Sequence, residues 1–322
     1  MLFGCNAVKR VNKNELLLKK NTFIVDGKII KSEEISRLSF HNKNSHILGI
    51  PVRLHIYNLA RPNKDSIFDA WINKNSKRKQ RYIDAFSKKQ FQKIKKTSIG
   101  FNNWLLKTGE APEILDSLKI NKTKLNLERY YFSKGWFDRT IDYKVNIHGK
   151  QRASLEYEIF KGDPFKISEI KTDIKTKILD SIYHASNNHS FIKKNTQFDI
   201  ANFESERNRI NNIFRNSGVY NFSQDYITFE NDTIGKDHKI DIKINIPNKL
   251  IRSGDTILQE PFKVYKIKEV NIYTDASFKN RSKLKAEKIL TFNGFNFYNY
   301  VKLKYRPNSI TNALQIAKGK LY

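Results

Sequence analysis

The sequence predicts an α+β protein made of tandem β-α-α-β-β modules, and three observations carry that prediction. First, Pro164-Phe165-Lys166-Ile167-Ser168-Glu169-Ile170 returns 97 residues later as Pro261-Phe262-Lys263-Val264-Tyr265-Lys266-Ile267, each copy opening an alternating segment that reads as a strand. Second, a glycine followed by large apolar residues recurs as Gly135-Trp136-Phe137 and Gly218-Val219-Tyr220, each time after a helical stretch and before two alternating segments. Third, Ile240, Ile242, Ile244 and Ile246 alternate with Lys239, Asp241, Lys243 and Asn245, the pattern of a strand with one buried face.

The middle module, residues 163–250, shows the order most clearly. Its first strand opens at Phe165 and Ile167, and a helix is expected over Ile178–Asn188. Phe203, Ile210, Ile213 and Phe214 then recur at helical spacing with charged residues between them, so a second, amphipathic helix runs from Phe203 to Asn216. Gly218 supplies the positive φ that a helix end favours. A strand over Phe222–Glu230 comes next, then turn residues from Asn231 to Asp237. The Ile240–Ile246 strand completes the module, and Pro247 ends it.

The first module, residues 23–162, closes in the same way: a helix over Lys124–Ser133, Gly135, then alternating Ile141/Tyr143/Val145/Ile147 and Leu155/Tyr157/Ile159 around a turn at His148–Lys150. Its opening strand is Phe23–Val25, turning at Asp26-Gly27 into Lys28–Ile30. The stretch between that opening and Gly135 is far longer than its counterpart in the middle module. The first module therefore carries an insertion, with a helix over Lys77–Lys96. Residues 260–322 start a third module at Phe262 and reach Gly319–Tyr322, where its second helix is due, so this module is expected to be truncated.

Composition excludes several classes. The 322 residues carry 60 Lys and Arg against 32 Asp and Glu, a net charge of +28, and 39% hydrophobic content is ample for packed cores. The single cysteine, Cys5, rules out an intramolecular disulfide and a cysteine-based zinc site. The seven histidines are scattered, and His184 and His189, five apart, miss the i, i+4 spacing that places two ligands on one helix face. No metal and no cofactor are expected. No run approaches the ~18 apolar residues of a membrane-spanning helix. Phosphate-loop, nucleophile-elbow and zinc-protease motifs are missing, so the role expected is non-enzymatic.

Residues 1–22 read as a lipobox and tether. Leu2, Gly4 and Cys5 occupy the −3, −1 and +1 positions of the bacterial lipobox, in which the cysteine thiol receives the lipid and only a small residue fits before the cut. The apolar stretch that normally precedes such a box is missing, and the expectation is a sequence that starts late. Asn6–Lys20 is polar and basic, as suits a tether. An acylated Cys5 anchors a protein to a membrane without spanning it.

These residues carry a family resemblance. Tyr130-Tyr131, Gly135-Trp136-Phe137 and the join Tyr157-Glu158-Ile159, Gly162, Pro164-Phe165, Ile167 resemble the POTRA domain. Within the insertion, residues 48–59 and 100–112, with the lipobox upstream, look like the lipoprotein branch of the BamA/TamA outer-membrane assembly superfamily. The resemblance covers nearly the whole chain. It implies periplasmic POTRA modules, lipid-anchored at the bacterial outer membrane and preceding a β-barrel of the same protein that lies beyond residue 322. It further implies a role in inserting or exporting outer-membrane proteins, with unfolded barrel proteins as clients and a separate assembly subunit as a possible partner. Clients would join by strand addition at an exposed sheet edge, whose main-chain hydrogen bonds are indifferent to client sequence. The edges expected are Phe137–Ile147 and Phe222–Glu230, with Tyr143, Val145, Tyr226 and Thr228 as client-binding residues.

Two other readings share parts of this evidence. An anchored structural or adhesion lipoprotein has the same lipobox and differs only in the chain beyond the modules, where it has no barrel. Nucleic-acid binding rests on the +28 and on the Lys77–Lys96 cluster, but Tyr82, Ile83, Phe86 and Ile94 make that stretch an ordinary amphipathic helix, and no reader motif accompanies it. Nucleic acid is not an expected partner.

Overall fold

The computed structural model describes residues 7–283 and 285–322. Cys5 and the rest of the proposed lipobox lie outside the described residues. The chain divides into two compact units: one holds the described residues up to Phe132 together with Trp136–Asp163, the other Ser133–Gly135 together with Pro164–Tyr322.

In the first unit the elements run β1 (Leu17–Val25), β2 (Lys28–Ile30), α1 (Glu33–Arg37), α2 (Val52–Leu59), α3 (Lys64–Asn73), α4 (Ser76–Thr108), α5 (Ser117–Ser133), β3 (Thr140–Ile147) and β4 (Arg152–Phe160). The sheet order is β2-β1-β4-β3, with β1 parallel to β4 and β3 antiparallel to it. One face packs on α1 and α5 through Phe23, Ile35, Leu127, Tyr131, Leu155 and Tyr157, and Phe23 stacks on Tyr157 at 5.4 Å.

β1 starts at Leu17, so Leu17–Thr22 belong to the sheet and not to the tether. Leu17 and Leu18 are both buried, in two different clusters, because neighbouring strand residues point to opposite faces and both faces are covered here. The register slip between Leu18 and Lys20 then puts Leu18 in the cluster of Phe23, a parity that strict alternation misses. The insertion is α2, α3 and α4, and α4 continues 12 residues beyond Lys96. It bends at Ser87, whose φ of 61° and ψ of 156° are not helical.

In the second unit the elements are β5 (Lys166–Ile174), α6 (Lys177–Ala185), α7 (Ile200–Asn216), β6 (Thr228–Asp232), β7 (Lys239–Ile246), β8 (Lys249–Ser253), β9 (Thr256–Glu260), β10 (Val270–Tyr273), α8 (Phe278–Lys283), β11 (Glu287–Phe292), β12 (Phe295–Asn299) and α9 (Pro307–Thr311). β5 to β7 form a sheet in the order β5-β7-β6, with β5 parallel to β7 and β6 antiparallel to it. That is the β-α-α-β-β module expected, and β1-β4-β3 repeats its order. On the helices Leu179, Tyr183, Phe203, Ile210 and Phe214 are buried, as is the row Ile240, Ile242, Ile244 and Ile246 of β7. The strand expected over Phe222–Glu230 is shorter: Phe222 and Ile227 are buried core residues, a 3-10 turn spans Gln224–Tyr226, and pairing starts at Thr228.

The third module departs most from expectation. Phe262 does not begin a strand; it is buried against Phe222 and Tyr226, and the first strand is β10. The β11-β12 hairpin comes after α8, and β12 pairs in parallel with β10. Hydrogen bonds give the true repeat. Phe165 N–H donates to Gly135 C=O (2.8 Å), Phe198 N–H to Phe165 C=O (2.9 Å) and Ile167 N–H to Thr196 C=O (2.9 Å). The same three bonds recur as Tyr265 to Gly218 (2.8 Å), Tyr322 to Tyr265 (3.0 Å) and Ile267 to Lys320 (2.9 Å). The structural offset is 265 minus 165, or 100 residues, not the 97 of the Pro-Phe-Lys echo. Gly218 is required here: its φ is +86°, and a Cβ would stand 2.8 Å from Tyr265 C=O.

Candidate functional site

A strand at the side of a sheet leaves every second residue's N–H and C=O without a ladder partner. The phase of β6 is set by its neighbour. His238 and Ile246, at the two ends of β7, accept from Lys166 and Lys175 N–H (both 3.0 Å), so the even-numbered residues of β7 face β5. Its odd-numbered residues therefore face β6 and meet Thr228, Glu230 and Asp232. Phe229 and Asn231 are left with their backbone groups directed away from the sheet, and among the described residues no strand pairs with them.

Helix α7 builds a cleft beside this edge. Asp199 caps it by accepting Ala201 N–H (3.0 Å), which sets the helix phase. Phe203 and Arg207, one turn apart, then fall beside β6. Phe203 meets Phe229 edge-to-face at 5.1 Å, and the Arg207 guanidinium lies 5.3 Å from the centre of the Phe229 ring. Arg207 is held in place by Glu204 (2.7 Å) and by Ile227 C=O (3.4 Å). Phe198, Ile200, Phe203 and Phe229 give the cleft an apolar floor, while Glu204, Arg207 and Asn231 supply its polar rim. Beyond the strand end Lys236 bridges Asp232 (2.5 Å) and Asp241 (2.6 Å), and its ammonium holds both carboxyls below the usual carboxylate range.

The rigidity of α7 has a specific source. Glu206 is fully buried and pairs with Arg209, whose side chain is 8% exposed; the carboxylate also accepts Phe191 N–H (2.9 Å). Arg209 in turn donates to Ser186 C=O (3.1 Å) at the end of α6. Both helices are thereby fixed to each other beneath the cleft.

The residues expected from the sequence fall in different places. Tyr143 and Val145 lie on β3, which is a sheet edge as expected. His148 N–H donates to Arg152 C=O (2.7 Å), and this sets the ladder phase so that Ile141, Tyr143 and Val145 direct their backbone groups outward. Thr228 is the first residue of β6, but its backbone belongs to the pairing with β7. Tyr226 sits in the 3-10 turn before β6 with its ring 5.0 Å from Phe262. Phe229, Asn231 and Arg207 are not among the residues the sequence singles out. Alternation within Ile227–Asn231 would have found the first two; the Arg207 contact depends on how α7 lies on the sheet.

Among the described residues there is no cluster of His, Cys, Asp and Glu able to hold a metal ion, and no helix long and apolar enough to cross a membrane.

No family model and no curated protein matches the chain. Solved structures do. The chain is similar to POTRA domains 3–5 of BamA from Haemophilus influenzae at 8% identity, covering 91% of this chain and 100% of that one with a TM-score of 0.31. It is similar to BamA from Haemophilus ducreyi lacking POTRA domains 1–3 at 11% identity and a TM-score of 0.29, covering 46% of this chain and spanning only 26% of that one. It is also similar to the N-terminal domain of Omp85 from Thermosynechococcus elongatus at 7% identity and a TM-score of 0.24, covering 66% and 68%. At these scores the chain-long superpositions are loose, and the functional reading rests on strand order and the β6 cleft.

Proposed function

We propose that this chain is a run of periplasmic POTRA-like modules that receives outer-membrane protein clients in an extended form, by strand addition to β6. The observation that carries the reading is the pairing of an open strand edge with an apolar cleft. Main-chain groups of Phe229 and Asn231 supply sequence-independent hydrogen bonds, and the floor of Phe203 and Phe229 accepts alternate apolar side chains of a barrel strand. The role is non-enzymatic. Attachment to the outer membrane through an acylated Cys5 belongs to the same reading, as do a barrel of the same protein and a separate assembly subunit. Palmitate labelling that persists in Cys5→Ala would remove the anchor.

The direct test is site-specific photocrosslinking in the presence of unfolded barrel-strand peptides. Probes at Phe229 and Asn231 should capture peptide, whereas a probe at Lys243 on the central strand should not. Equal capture at all three positions overturns strand addition. Capture at none favours the anchored structural lipoprotein.

A further inference from the structure

The helical insertion of the first unit carries a surface that the client-binding reading does not use. Residues 64–108 hold twelve Lys and Arg against three Asp, a net charge of +9, so about a third of the chain's +28 sits in 45 residues. Beyond the bend at Ser87, residues 88–108 hold six Lys and no acidic residue.

This half of α4 is amphipathic in an unusual sense. One face is buried through Phe91, Asn102 and Leu105, and Asn102 clamps the backbone of Arg61 by accepting its N–H (2.7 Å) and donating to its C=O (3.1 Å). At about 100° per residue, Ile94, Phe101 and Trp104 fall together on a different arc roughly 80° wide. They are 41%, 60% and 53% exposed, and the rings of Phe101 and Trp104 stack at 5.7 Å. Lys89, Lys93, Lys96 and Lys107 line the next arc, all exposed. None of these four forms an ion pair among the described residues, whereas Lys95, on the buried side, is taken by Asp65 and Asp69 (both 2.7 Å).

We propose that this face of α4 binds the surface of an anionic phospholipid membrane, with the helix lying in the interfacial plane. An exposed row of Ile, Phe and Trp is costly in water and suited to the boundary between headgroups and acyl chains, where Trp is favoured. The adjacent lysines place ammonium groups at the headgroup level, on long stems that reach it while the rings insert. A nucleic-acid strand fits less well: Ile94 has nothing to stack on a base, and Phe101 and Trp104 already cover one face of each other.

The test is co-sedimentation of the whole protein with vesicles of phosphatidylethanolamine and phosphatidylglycerol, against vesicles of phosphatidylcholine alone. Binding is expected on the first and not on the second. The double variants Lys93→Glu/Lys96→Glu and Phe101→Ser/Trp104→Ser should each weaken binding about tenfold or more. Far-UV circular dichroism is expected to be unchanged, since all four side chains are exposed. A Trp104→Phe variant should lose most of the fluorescence quenching that brominated lipid produces in the wild type. Equal binding to both vesicle types, undiminished binding by the variants, or a single-stranded oligonucleotide bound more tightly than vesicles would each overturn the proposal.

Discussion

The sheets β1-β4-β3 and β5-β7-β6 share one strand order, yet their outer strands present different chemistry. On β3 the outward backbone groups belong to Ile141, Tyr143 and Val145. The Ile141 side chain is 3% exposed in the core and Val145 packs against the same cluster, so two of the three side chains in that row serve the fold while its backbone edge stays open. On β6 the outward row is Phe229 and Asn231, which open into a cleft lined by α7. The helices differ in the same sense. Beneath β6, α7 is tied by the buried Glu206–Arg209 pair. In the first unit α5 is tied instead by a neutral group: the Thr123 hydroxyl accepts Phe40 N–H (3.0 Å) and donates to Lys119 C=O (2.9 Å). A repeated topology thus sets where an edge lies, while the side chains beside it decide whether anything can dock there.

The comparison can be broken at several strengths. The largest effect is expected from Glu206→Ala, which leaves Arg209 buried without its partner and Phe191 N–H without an acceptor; it should destabilise the second unit by ~3–5 kcal/mol. Hydrogen exchange would show loss of protection in α7 and β7 while β1 and β4 keep theirs. Protection lost equally in both units would mean that their stabilities are not separable.

Next comes a proline on each edge. Asn231→Pro removes an outward N–H, which an edge strand tolerates, and should weaken binding of barrel-strand peptides about tenfold, or ~1.4 kcal/mol. Tyr143→Pro on β3 should leave that binding unchanged. Titration of fluorescent peptide against the two variants decides between the edges, and the opposite outcome would move the site to the first unit.

The smallest effect separates the units by pH. His41 is buried in the first unit, where its Nε2 accepts Asp116 N–H (3.0 Å). Burial holds its pKa below the usual 6.5, against the pull of Glu113 and Asp116. The unfolded chain therefore binds a proton that the folded unit resists. The contribution of neutral His41 is complete above about pH 6.5 and is lost as pH falls through the lower folded value, at ~1.4 kcal/mol per pH unit between the two. The protection factors of β1 and β4 amides, corrected for the intrinsic exchange rate at each pH, should fall over that window in the wild type and much less in His41→Gln, whose amide oxygen can still accept from Asp116. A fall of the same size in His41→Gln would place the pH dependence elsewhere.

Residues that alternate or recur within one element are legible in the sequence. The row Ile240–Ile246, the helix ending at Asn216 and Gly218 beyond it appear where periodicity places them, because one-sided burial writes a period of 2 or 3.6 directly into sequence. The failures have physical causes of their own. Leu18 is hidden by a register slip and Leu17 by a second covered face of the sheet, and Phe222–Ile227 resembles a strand because buried turn residues are as apolar as strand residues. The Pro-Phe-Lys echo misleads by three residues because a hydrogen-bond register is kept by backbone geometry, not by side-chain identity. The basic cluster over Lys77–Lys96 is visible in the sequence, but only the folding of α4 lines Lys89, Lys93, Lys96 and Lys107 beside exposed rings.

What the sequence by itself determined is the α+β class, the β-α-α-β-β repeat, the insertion in the first module and the two candidate edges, since each is a local pattern of burial and turn chemistry. The tertiary structure alone decided which backbone groups of those edges face outward and that Phe203, Arg207 and Phe229 meet in one cleft. The reason is that ladder phase and helix-on-sheet placement depend on partners distant in the chain: Arg207 lies 22 residues from Phe229, and the phase of β6 is set by bonds from β7 to β5.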